Sequence, residues 1–276
     1  MFLTGSRALN FWYPEFTIKP ETDWDIVSDV DIKMTKIIDV APEGLNSFEI
    51  CSTYSTSEVI ETPIGIANVV SPKGLMLFKR SHLHRPVDFA KHIRHYHFLK
   101  SKVIDLDEVY YNLLKERTRL TKEKYGDKVP SLKKSKKDFF DDYVTKKYEH
   151  DSLHYATSYG ERPIYEELKT DDDSVWCSRE LWEQLSHEKK IKCVREEAFV
   201  IAIERYLIPK KGYPPKFAFN NAVEKIATTL TSGWFRDFAI DNWTEIMNYG
   251  DYDFYSMFLA KESLLKLHSD LVGPQV

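Results

Sequence analysis

Phe2-Leu3-Thr4-Gly5-Ser6-Arg7-Ala8 opens the chain, and after a spacer rich in aromatics and proline comes Thr22-Asp23-Trp24-Asp25-Ile26-Val27. The first stretch reads as a short buried strand running into a tight turn, because Phe2 and Leu3 are apolar and Gly5 suits the turn. The second reads as a strand from Trp24 to Val27. Asp23 and Asp25 lie two residues apart in it, so the strand period projects both carboxylates to one face. Pro14 and Pro20 exclude a continuous helix across residues 11–22.

Working outward, Ser28 is a candidate N-cap for a helix carrying Val30, Met34, Ile37 and Ile38, and residues 48–54 return to a β-prone run. Strand, helix and strand within sixty residues predict an α/β (α+β) unit with a small mixed sheet. From Ser71-Pro72 onward the pattern turns helical, first with Leu75, Met76, Phe78 and Leu83 at helical spacing. Residues 105–124, with Val109, Leu113 and Leu114 inward, then 139–155, 191–207, 222–240 and 255–267 follow as helices. The expected division is an α/β domain over residues 1–102 and a mostly helical domain over residues 103–276. No solenoid-length repeat is visible.

At 276 residues the chain can bury a core without disulfide or metal staples. With 42% hydrophobic and 30% charged residues and a mean hydropathy of -0.44, it reads as a soluble globular protein rather than a disordered or membrane one. The opening residues lack the charged-then-apolar pattern of a secretory signal, and no apolar run is long enough for a bilayer, so a cytoplasmic protein without membrane contact is expected. Cys51, Cys177 and Cys193 have no Cys-x-x-Cys spacing, which argues against a disulfide framework and a cysteine zinc site. Oligomeric state is not legible.

Two carboxylates on one strand face can share a divalent cation, the arrangement that metal-assisted phosphoryl or nucleotidyl transfer needs. A Gly5-Ser6 turn just upstream can offer backbone N–H groups and a hydroxyl to the phosphates of the same nucleotide. The order strand, Gly-Ser, spacer and Asp-x-Asp flanked by apolar residues resembles the polymerase-beta-like nucleotidyltransferase superfamily over about the first hundred residues. More weakly, the chain resembles nucleotidyltransferase-like proteins of large bacterial viruses, for which the location would be the host cytoplasm.

The resemblance implies a Mg²⁺ (or Mn²⁺) ion on Asp23 and Asp25, a nucleoside triphosphate as substrate, and a third carboxylate from a neighbouring strand. Glu49 is the first candidate for that carboxylate, with Glu58 and Glu61 behind it; Asp29, Asp31 and Asp39 read as the solvated face of the predicted helix. Gly5 and Ser6 would cradle phosphate, and Arg7, Lys79, Lys91 and His92 would supply positive charge. The expected reaction transfers a nucleoside monophosphate to an acceptor, whether RNA, a small molecule or a protein. The aromatic spacer is expected to pack over the core rather than stack on a base.

Five of the nine histidines fall between His82 and His97, in a segment that also holds Lys79, Arg80, Arg85, Lys91 and Arg94. This is either a phosphate-neutralising surface or a solvated helix face; His82, His84 and His92 are also candidate transition-metal ligands. His150 and His154, four apart and flanking Asp151, form a second candidate metal cluster and support a rival reading as a metal-dependent phosphohydrolase. Glu196, Glu197 and Glu204 read as a buried ion-pair network. A further rival is an inactive binding protein on the nucleotidyltransferase fold. Residues 115–147 hold twelve Lys and Arg against six Asp and Glu, interleaved with aromatics, the pattern of a nucleic-acid surface, in a chain of net charge -4.

Overall fold

Phe2–Leu3 (β1) is only two residues long, yet it is the middle strand of five. It pairs antiparallel with Trp24–Val27 (β2), Leu3 opposite Ile26, and parallel with Gly65–Val70 (β5), Leu3 opposite Val69. Ile38–Val40 (β3) runs parallel to β2 on one side, and Ser55–Thr62 (β4) closes the other side as the antiparallel partner of β5. The sheet is therefore mixed, in the order β3-β2-β1-β5-β4. Leu3, Ile26, Ala67, Val69 and Val70 are buried in it. The strands expected at Phe2 and at Trp24 to Val27 are present.

The structure, a computed structural model, describes residues 1–83, 88–125, 163–168, 179–207, 210, 212–229 and 234–248. The chain divides into two compact units, Met1–Val129 and Pro130–Val276. In the first, Gly5–Trp12 (α1), Ser47–Thr53 (α2), Pro72–His82 (α3), Phe89–Lys102 (α4) and Glu108–Tyr125 (α5) accompany the sheet. Ser71 caps α3 by accepting from the Gly74 N–H, with Pro72 at the first helical position, as the Ser-Pro pattern predicts. The first unit runs past the boundary expected at residue 102. The reason is α5: Asn46 Nδ2 donates to the Leu113 carbonyl at 3.2 Å, Arg117 donates to Ser47 Oγ at 2.6 Å, and Lys124 donates to the Glu43 carbonyl.

Three local expectations are overturned. No helix follows Ser28: Val30, Met34 and Ile37 are exposed, and Ile38 begins β3. The run 48–54 is the helix α2 rather than a strand, because Ser47, Ile50 and Cys51 are the buried positions and that i, i+3, i+4 spacing marks one helix face. On α5 Leu113 is buried as expected, but Val109 is exposed and its neighbour Tyr110 points inward instead. The spacer packs, as expected: Trp12 Nε1 donates to the Val70 carbonyl at 2.8 Å, and Phe16 meets His95 and Phe98 with ring centroids 4.6 and 5.2 Å away.

In the second unit, a 3₁₀ turn Ile164–Leu168 and the helices Arg179–Gln184 (α6), His187–Ala202 (α7), Pro215–Thr229 (α8), Trp234–Asp241 (α9) and Trp243–Met247 (α10) enclose an apolar core. α7 continues into a π-helical turn, Ile203–Leu207. Its buried positions Val194, Ala198, Val200 and Ile201 spread round the helix, which makes it central, as its apolar sequence predicts. Trp182 anchors one end against Trp234, Phe235 and Phe238. The expected helix 222–240 is two helices, α8 and α9. Glu196 and Glu197 are buried, and Glu196 Oε2 accepts from the Ile164 N–H at 3.0 Å. The candidates His150, Asp151 and His154, the side chain of Glu204, most of the basic stretch 115–147, and the helices expected at 139–155 and 255–267 lie outside the described residues. Among the described residues no helix is long and apolar enough to cross a membrane.

Candidate metal centre

Three carboxylates converge at the end of the sheet. Asp25 and Asp39 are direct register partners across β2 and β3, and Asp23 immediately precedes β2. One oxygen from each of Asp23, Asp25 and Asp39 lies within 4.8 Å of the others. The Gly5 turn supports them from the other side. Thr4 donates to the Asp25 carbonyl twice, from its N–H at 2.9 Å and its Oγ1 at 3.1 Å, which ties the turn to β2. Gly5, at φ +69°, then passes so close that a Cβ on it would stand 1.7 Å from Asp25 Oδ2. Only glycine leaves room for that carboxylate and tolerates that backbone.

The three carboxylates crowd like charges together. Burial raises the Asp25 carboxyl above its ordinary range, and Asp23 and Asp39 push it further, while Lys79 and Lys91 pull it back. Asp39 is likewise raised, by burial and then by Asp23. Like charges held this close repel until a cation joins them. Lys79, on α3, is almost fully buried beside them, and burial lowers its ammonium to about 8 against the opposing pull of Asp25.

The carboxylates line a cleft of about 270 Å³ together with Lys79, His82, Lys91, His92 and Arg117. His82 and His92 face each other with ring centroids 4.6 Å apart. Asp88, in the left-handed region at φ 51°, holds the N-cap position of α4 and lines the same cleft. Arg117 reaches the cleft from α5, where its guanidinium lies 5.4 Å from the Phe78 ring centroid.

Of the residues singled out in the sequence, Gly5, Asp23, Asp25, Lys79, Lys91 and His92 meet at this cleft. Glu49 does not: it is exposed in the first turn of α2, and Asp39 stands where a third carboxylate was sought. The helix predicted after Ser28 would turn Asp39 to solvent, whereas β3 forms there and pairs Asp39 with Asp25. Glu58 and Glu61 are exposed on the edge strand β4. Ser6 Oγ is buried without a hydrogen-bond partner among the described residues and does not line the cleft, because α1 begins at Gly5 and carries Ser6 inward. Arg7 is a strut rather than a cleft cation: it donates to the Thr22 carbonyl at 2.8 Å and the Pro20 carbonyl at 2.9 Å and stacks 4.3 Å above the Trp24 ring. The alternation Ile38-Asp39-Val40 repeats that of Trp24-Asp25-Ile26 and was the available signal for Asp39. Arg117 had none, since its proximity is made by packing.

The model of a domain of unknown function, DUF7275, matches residues 74–258, more than half of the 276-residue chain. That stretch begins in α3, so it takes in Lys79, Lys91 and Arg117, whereas Asp23, Asp25 and Asp39 precede it. No curated protein and no solved structure matches the chain. With the larger part of its sequence matched, the chain belongs to the DUF7275 family.

Proposed function

We propose that the chain is a metal-dependent nucleotidyltransferase that moves a nucleoside monophosphate from a nucleoside triphosphate to an acceptor, and that its first unit is nucleotidyltransferase-like. The observation that carries this reading is the convergence of Asp23, Asp25 and Asp39 within 4.8 Å beside the Gly5 turn. It supports the resemblance stated for the sequence, because a strand, a Gly-Ser turn, an Asp-x-Asp strand and a carboxylate from the next strand now stand together.

Three carboxylates are hard oxygen donors and fit Mg²⁺ or Mn²⁺. Such an ion, held by Asp23, Asp25 and Asp39, would neutralise charge building on the phosphates. Asp39, the most exposed of the three, accepts the proton of the attacking acceptor hydroxyl. The acceptor oxygen bonds to the α-phosphorus, the bond from that phosphorus to the bridging oxygen breaks, and pyrophosphate leaves with the electron pair. Lys79 and Lys91, which line the same cleft, balance charge there.

The test is incubation of the full chain with α-labelled nucleoside triphosphates and Mg²⁺ or Mn²⁺, offering single-stranded RNA, small hydroxylated metabolites and protein as acceptors. Label should appear on one of them with stoichiometric pyrophosphate, and should vanish in Asp23→Asn and Asp25→Asn. Transfer retained in both variants sinks the assignment. Nucleotide binding without transfer to any acceptor would favour the inactive binder.

A further inference from the structure

Tyr206, in the π-helical turn that ends α7, and Tyr213 stack with ring centroids 5.5 Å apart and planes 23° from parallel. The backbone folds back to make the pair. The Lys210 N–H donates to the Tyr206 carbonyl at 3.2 Å, the Tyr213 N–H donates to the Lys210 carbonyl at 3.1 Å, and Gly212 takes φ +75°, a conformation that favours glycine. Lys210 Nζ lies 5.6 and 5.1 Å from the two ring centroids, within cation–π range of both. A third ring, Phe217, stands in the first turn of α8 and is 61% exposed. It belongs to the same surface. Ala218, Phe219, Ala222, Val223 and Ile226 form the buried face of α8, so Phe217, Asn221 and Lys225 share its outward stripe, and Asn221 Nδ2 donates to the Tyr213 hydroxyl at 2.7 Å.

The charge around these rings has one sign. Between Tyr206 and Phe217 the sequence holds Lys210, Lys211 and Lys216 and no acidic residue, in a chain of net charge -4. Neither Lys210 nor Lys216 forms an ion pair with a described residue. Glu224, two turns further along α8, is half-buried and already opposed by Lys225. Cations set among exposed rings are complementary to a partner that alternates phosphates with flat bases. A lipid surface would need a wide apolar face, whereas Phe217 is the large hydrophobic side chain left exposed among the described residues of the second unit.

We propose that this surface of the second unit binds single-stranded nucleic acid, with Phe217 stacking on a base and Lys210, held by the Tyr206–Tyr213 pair, and Lys216 meeting neighbouring phosphates. A duplex fits poorly because its bases are already stacked on one another. The inference goes beyond the reading above and does not depend on it, since binding needs neither metal nor transfer.

The test is fluorescence anisotropy of labelled oligo(U) and oligo(dT) titrated with the full chain over a range of salt, without divalent cations. Both should bind at low salt, with log affinity falling linearly in log salt by roughly 0.7 per neutralised phosphate. Lys210→Gln combined with Lys216→Gln should flatten that slope by about 1.4. Phe217→Ala, at an exposed position, should leave the slope unchanged and weaken binding about fivefold or more, the loss of one base–ring stack. A duplex of matching length should be indifferent to Phe217→Ala. Absence of binding at low salt overturns the proposal, as does affinity for single strands that is unchanged in both folded variants. Binding to phosphatidylserine vesicles that is lost in Phe217→Ala, while oligonucleotide affinity stays at the parent value, assigns the surface to a membrane and overturns it too.

Discussion

The carboxylate of Asp25 occupies the space in which a side chain at Gly5 would begin, with Oδ2 1.7 Å from the position of a Cβ there. Gly5→Ala therefore meets two penalties, displacement of Asp25 and a left-handed backbone at φ +69°. We expect a loss of about 1–3 kcal/mol in stability together with weakened Mn²⁺ binding. Thermal unfolding and metal titration report the two effects separately, and normal metal affinity would show that Asp25 need not lie against the turn.

Asp39→Asn is expected to weaken divalent-cation binding about tenfold, whereas Glu49→Gln leaves it unchanged. Without metal, Asp39→Asn should be slightly more stable than the parent near neutral pH. Burial and Asp23 raise the Asp39 carboxyl, so its ionisation costs stability once the pH climbs above the unfolded value of 3.8. Metal titration of both variants checks this, and equal affinities would return the third ligand to the open.

His95 sets an acid limit on the first unit. Burial, followed by Lys79, Lys91, Arg94 and His92, depresses its imidazole from 6.5 to about 3. The unfolded chain takes up this proton first, so the stability His95 contributes is complete above about pH 6.5 and drains away towards pH 3. The slope should be roughly 1.4 kcal/mol per pH unit through that window. Denaturant unfolding between pH 7 and 4 measures it. In His95→Gln the slope should flatten, and an identical profile would assign the acid limb to other groups.

Arg7→Ala should destabilise the first unit by about 1–2 kcal/mol, because it removes two hydrogen bonds and the stack on Trp24. Tripolyphosphate affinity should stay close to the parent value in the folded variant. Arg7→Lys should recover little of the stability, since an ammonium cannot reach both carbonyls and lie flat on the ring. A large loss of phosphate affinity would instead make Arg7 a ligand contact.

Several features were legible along the chain because local chemistry alone determines them. Ser71-Pro72 starts a helix through a side-chain cap and a fixed φ, and Trp24 to Val27 exposes Asp23 and Asp25 together through the strand period. Gly5 announces a turn by lacking a side chain. The membership of the site was a different matter. Residues 48–54 are β-prone, yet the helix Ser47–Thr53 forms there because burial of Ser47, Ile50 and Cys51 at i, i+3, i+4 spacing outweighs a weak propensity. Asp39 becomes a partner of Asp25 only through the parallel register of β3 on β2, and Arg117 arrives from seventy residues beyond Ser47 because α5 packs back onto the unit. Spacing and propensity act over a few residues, whereas register and helix packing join distant ones. The carboxylate pair with Lys79, Lys91 and His92 could therefore be read from the chain, while Asp39 and Arg117 joined them only through the folded arrangement.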